Sequence, residues 1–113
     1  MNTETLLEQL ENLLGISQQD ADLEEKLIWI LDTTKLRLKI LLRGIEPPEE
    51  LSYIVIEVAV IRFNRIGSEG FSSHTVEGEN AVFSDNDFAR YKDDIDAYLR
   101  EQKDSVKGKV RFL

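Results

Sequence analysis

Between Leu51 and Ile66 the chain carries apolar side chains on almost every side of a helix: Leu51, Tyr53, Ile54, Val55, Ile56, Val58, Ala59, Val60, Ile61, Phe63 and Ile66. A surface helix confines such residues to one stripe, so this segment has to be surrounded. The β-branched content makes a strand the rival reading. The length and the polar breaks at Glu57, Arg62 and Arg65 favour a helix. So does Pro47-Pro48-Glu49-Glu50, a proline in the first turn with acids behind it. The rest of the chain has to supply the cover.

Two earlier segments are suited to that. Leu6, Leu7, Leu10, Leu13 and Leu14 recur at helical spacing, with Thr3 as N-cap, Gly15 as the stop and Ile16 folding back behind it. A longer helix is expected from Asp20 to Arg43, with Ser17 and Asp20 as a capping arrangement. Acids crowd its start and Lys35, Arg37, Lys39 and Arg43 its end, as the helix dipole favours, and Gly44 closes it. Leu23, Leu27, Ile30, Leu31, Thr34, Leu38, Leu41 and Leu42 mark one face. Trp29 lies on the flank of that stripe, and its two readings are a core residue and an interface anchor.

Residues 67–84 have no helical period. Thr75-Val76 and Ala81-Val82-Phe83 flank Glu77-Gly78-Glu79-Asn80, which is a β-hairpin pattern. A last helix follows Ser84-Asp85-Asn86-Asp87, with Phe88, Tyr91, Ile95, Tyr98 and Leu99 on one face. The expected architecture is mostly α: one domain over 1–101, a small bundle of about four helices with a hairpin-like loop before the last. Residues 102–113 form a basic, partly apolar tail, expected to be flexible until assembled.

Composition removes several functions. With no cysteine there is no disulfide or thiolate metal site, and one histidine, His74, leaves no His pair for a metal. No apolar run reaches the roughly 20 residues of a membrane span. The N-terminal residues carry no signal-peptide pattern, so export by that route is not expected. The acidic pairs Glu24-Glu25, Glu49-Glu50 and Asp93-Asp94 fall in helix first turns or on solvated faces, and His74 reads as a surface residue. Gly67, Gly70 and Gly78 lack the Gly-Lys-Ser/Thr of a phosphate loop. The expectation is no enzyme, no metal and no cofactor. A net charge of −8 argues against a DNA reader while permitting passive contact with DNA.

Arg62 and Arg65 admit two readings: cations suited to the end of their helix, or a salt bridge to a neighbouring subunit with Asn64 and Glu69 in the same network. The run Arg62-Phe63-Asn64-Arg65-Ile66-Gly67-Ser68-Glu69-Gly70 resembles the head–tail connector, or head-completion, family of long-tailed double-stranded DNA phages and prophages. Leu13-Leu14-Gly15-Ile16, Pro47 to Leu51, Val76-Glu77-Gly78 and Phe83 to Phe88 hold the same order, so the resemblance covers about Leu6 to Leu99.

The resemblance implies a structural virion protein at the head–tail interface, made in the host cytoplasm. About twelve copies would form a ring beneath the portal protein, prolong the DNA channel and dock a stopper or tail-completion protein. At −8 per chain such a ring would carry roughly −96, letting DNA slide without sticking. Subunit or channel contacts would fall at Arg62, Asn64, Arg65, Ser68, Glu69, Phe71, Val76, Glu77 and Glu79, with Asp85 a further acid beside the channel. Portal docking would fall to Tyr98, Lys107, Lys109, Arg111 and Phe112. The alternative is a small acidic helical regulator, either a helix-turn-helix DNA binder or a blocker of one. The helix-turn-helix fit is poor, because the third helix is apolar and the fourth acidic, whereas the charge leaves the acidic blocker open.

Overall fold

The computed structural model of the chain describes residues 1–16, 21–69 and 85–111, with side chains for 1–16, 21–66 and 86–103. The described residues form four α-helices: α1 (Thr3–Leu14), α2 (Ala21–Leu41), α3 (Ser52–Glu69) and α4 (Lys92–Arg111). Short 3-10 turns, Glu49–Leu51 and Asp85–Tyr91, lead into α3 and α4. No strand occurs among the described residues. The hairpin expected around Val76 to Phe83, the capping pair Ser17 and Asp20, and His74 lie outside them.

Helix α3 is the centre, as its apolar circumference requires. Ile54, Val55, Val58 and Ala59 are fully buried, and Leu51 and Ile56 nearly so. Its principal cover is α2, through Leu27, Ile30, Leu31, Leu38 and Leu42. Helix α1 lies against both, through Leu6, Leu7 and Leu10. Phe88, Tyr91, Ile95 and Tyr98 close the remaining side from the second 3-10 turn and the first half of α4. The Cα radius of gyration is 16.3 Å, against about 13 Å for a compact domain of this length. The chain is elongated, 57 × 29 × 18 Å.

Local chemistry sets the helix ends, with four departures from expectation. The N-cap of α1 is Asn2, whose Oδ1 accepts from the Glu4 amide at 2.8 Å. Thr3 is the first helical residue; its hydroxyl donates to Asp32 and accepts from Lys35 Nζ, tying α1 to α2. Gly15 stands at φ 68°, and the Gly15 and Ile16 amides bond back to the carbonyls of Asn12 and Glu11, closing α1 as a glycine terminator should. At the end of α2 the left-handed turn begins one residue early. Arg43 (φ 60°) takes the position, followed by Gly44 (φ 89°), with their amides bonded to Ile40 and Lys39 carbonyls. The prolines stand ahead of α3: Pro48, at ψ 163°, caps the 3-10 turn, and the α-helix begins only at Ser52. Helix α4 continues past Gln102, the expected start of the tail, to Arg111.

Gly15→Ala is expected to cost about 1 kcal/mol, because the space is open but the left-handed backbone is strained for any Cβ. Leu31→Ala, in the fully buried face of α2, is expected to cost about 2–5 kcal/mol. Urea denaturation followed by circular dichroism measures both.

Candidate functional site

The polar break in α3 is where the chemistry gathers. Arg62 follows Val58 and Ala59 at helical spacing, so it falls on the buried face and is 1% exposed. A guanidinium so placed needs an anion. Asp87, in the 3-10 turn before α4 and 6% exposed, supplies it: Arg62 Nε donates to Asp87 Oδ2 at 3.3 Å. Arg62 Nη1 donates to the Thr34 hydroxyl of α2 at 3.1 Å, and that hydroxyl donates to the Ile30 carbonyl at 2.6 Å. The guanidinium also sits 5.6 Å from the centre of the Phe88 ring, a cation–π contact. Arg65, one turn on and half-buried, grips Asp87 with both terminal nitrogens, at 3.1 and 2.5 Å. That paired geometry is the strong form of an arginine–carboxylate contact. No buried side-chain nitrogen or oxygen lacks a partner among the described residues.

A second polar line runs along the outer side of α3. Tyr91 donates to Glu57 at 2.7 Å and Tyr53 donates to Asp94 at 2.7 Å, with the two rings edge to face at 6.3 Å. The Asp94 hydrogen bond, ahead of burial, pushes the Tyr53 phenol up to about 12. Burial first, then the Glu57 hydrogen bond, pushes Tyr91 up to about 12. Both stay protonated donors, unsuited to act as base or nucleophile at neutral pH. Burial pulls the Arg62 guanidinium down from its ordinary value, and Asp87 opposes that shift. Among the described residues no group of three or more His, Cys, Asp or Glu side chains could hold a metal ion. These contacts brace the fold and present no reacting centre.

The expected site residues scatter. Arg62 and Arg65 come together, but their shared partner is Asp87 of the same chain, and α3 runs on to Glu69, so neither sits in its last turn. Asn64 is exposed. Ser68 and Glu69 form the end of α3, while Phe71, Val76, Glu77, Glu79 and Phe112 lie outside the described residues. Asp85 opens the second 3-10 turn. Tyr98 is buried, so it braces α4 from within. Lys107, Lys109 and Arg111 fall in the last turns of α4. Trp29 is 50% exposed, which overturns its core reading, and Leu36 and Ile40 lie exposed on the same side of α2. Sequence reasoning missed Asp87, Thr34 and the two tyrosine–carboxylate pairs. The available signal was two arginines in an apolar helix, which demand an acid from elsewhere.

The family model for "Phage gp6-like head-tail connector protein" matches residues 4–99. No curated protein and no solved structure matches the chain.

Asp87→Ala is expected to cost about 3–5 kcal/mol, because it strands a buried guanidinium. Glu8→Ala, exposed on α1, should change stability by less than about 0.5 kcal/mol. Urea midpoints decide both. The tyrosines set an alkaline limit. Their folded pKa lies near 12 against an ordinary 10.0, so their contribution is full below pH 10 and is lost as pH rises through 12. Tyr53→Phe with Tyr91→Phe should flatten that loss in melts between those limits.

Proposed function

The chain belongs to the phage gp6-like head–tail connector family, matched over residues 4–99, and we propose that it acts as the ring-forming adaptor beneath the portal. That family is structural rather than enzymatic, and membership implies a place in the virion and contact with other head or tail proteins. No helix among the described residues is long and apolar enough to cross a membrane.

In the proposed ring about twelve copies extend the DNA channel and carry the stopper or tail-completion protein. The observation that supports this most is the family match, and the Arg65–Asp87 bridge gives it a physical form. The bridge joins the end of α3 to the turn before α4. Contacts with the channel or a neighbouring subunit are assigned to Ser68 and Glu69 at the end of α3 and to Phe71, Val76, Glu77 and Glu79. The negative charge of −8 per chain suits passive contact with DNA. Residues 102–113 are assigned to portal docking through Lys107, Lys109, Arg111 and Phe112. Residues 100–113 stand outside the family match, so this end is where portal specificity would reside.

The test is light scattering of portal rings mixed with the purified chain. Addition of many copies per portal is expected, with weakened addition when residues 104–113 are deleted. A chain that ignores portals and instead binds DNA or a repressor overturns the proposal in favour of the acidic regulator.

A further inference from the structure

Helix α2 is apolar on two opposite sides, and the fold uses one. Leu27, Ile30, Leu31, Thr34, Leu38 and Leu42 face the core and are at most 1% exposed. Trp29, Leu36 and Ile40 fall about half a turn round the helix from them. They are 50%, 61% and 64% exposed and form one line about 16 Å long. Between Trp29 and Leu36 stands Thr33, whose hydroxyl donates back to the Trp29 carbonyl at 2.8 Å, so it adds little polarity to the line. Three large exposed apolar groups in register make a contact surface rather than scattered residues.

The charges beside this line identify the occupant. Acids lead the helix, at Asp22, Glu24 and Glu25, and bases end it, at Lys35, Lys39 and Arg43. A second copy of the same helix laid parallel would set like charges side by side. Laid antiparallel, it sets acids against bases. An antiparallel pairing centred between Thr34 and Lys35 puts Trp29 against Ile40 of the second copy and Leu36 against Thr33. Within about two residues of that register, on one flank, Glu25 comes near Arg43, which stands just past the helix end, and Asp32 near Lys39. Glu25, Asp32 and Arg43 are exposed; Asp32 accepts from the Thr3 hydroxyl at 3.2 Å, and Lys39 pairs with the exposed Glu46 at 3.3 Å, contacts easily exchanged or shared. Apolar line and flank charges favour the same antiparallel orientation. We propose that the free chain forms a two-fold dimer through the outer face of α2, packed antiparallel on α2 of a second copy.

This contact is isologous, Trp29 of each copy meeting Ile40 of the other, whereas a ring is built from contacts between unlike faces. That difference supplies the test, on the full chain without portal. Light scattering is expected to show a mass rising with concentration from one chain to two. The chain has no cysteine, so Leu36→Cys introduces a single thiol close to the axis. Mild oxidation should give a covalent dimer. Ile40→Glu should weaken dimerisation roughly 30-fold or more while leaving the circular dichroism spectrum unchanged. Arg43→Glu should weaken it too, and adding Glu25→Arg should restore it. A monomer at all concentrations overturns the proposal. So does a larger assembly, or a dimer, in which the Leu36→Cys thiols fail to couple. Portal binding is read separately, so the ring proposal stands or falls on its own experiment.

Discussion

One buried carboxylate determines how the second half of the chain returns to the first. Arg62 lies on the buried face of α3, among apolar side chains, and its charge cannot be left alone there. Asp87, 25 residues away in sequence, satisfies it, with Thr34 of α2 holding the other side of the guanidinium. Three elements therefore meet at one polar point: α2, α3 and the turn that starts α4. A buried ion pair contributes little net stability compared with a well-packed apolar alternative. Its value lies in discrimination. Slip α3 by a residue, or dock α4 elsewhere, and an arginine is stranded in the core. The apolar contacts of α2 on α3 would tolerate several packings, whereas the Arg62–Asp87–Arg65 geometry tolerates one.

Much of this fold was legible in the sequence, because the periodicity was strong wherever a helix met the core. The limits of α1 and the central place of α3 follow from leucine spacing and from apolar residues on all sides. The misreadings have specific physical causes. Asn2 displaced Thr3 as the cap because the Thr3 hydroxyl had a better use between Asp32 and Lys35. Arg43 took the left-handed position ahead of Gly44, since α2 ended one residue sooner than its glycine suggested. Trp29 looked like a core residue because tryptophan usually is, yet its angular position on α2 is opposite Leu27 and Leu31. The candidate site was only half legible. Arg62 and Arg65 stood out as charges in an apolar helix, but their partner is a tertiary fact. Asp87 sat in a run of Asp and Asn that reads as helix capping, and nothing local separates a capping acid from a buried counter-ion.

The family match and the geometry divide the molecule in a consistent way. The match ends at Leu99, which packs against the core beside the buried Tyr98. Up to that point the residues serve the shared fold. Beyond it α4 runs on to Arg111 with Lys103, Lys107, Lys109 and Arg111 along it, on a chain that is otherwise acidic. On the proposed function, a basic end on an acidic body would separate the tasks: repulsion would govern the approach of DNA, and the tail would engage an acidic or grooved partner.

A head–tail adaptor faces a timing problem, since subunits that join one another too early give structures with no head attached. The outer face of α2 fits that problem. If it is covered by a second copy, the chain is held in a two-fold pair, a closed state that cannot grow. The contact is a single helix pair, and its flanking ion pairs are exposed, each contributing about 0–1 kcal/mol. Such a pair is weak enough to open. On the proposed function, assembly on a portal would replace one small symmetric contact with many simultaneous ones per subunit, and the gain from multivalency would outweigh it without any change in the fold of the subunit. The same three side chains, Trp29, Leu36 and Ile40, are then released to contact whichever neighbour the assembly presents. A stripe that looks wasted in the isolated chain is, on this argument, what keeps it isolated until the portal is there.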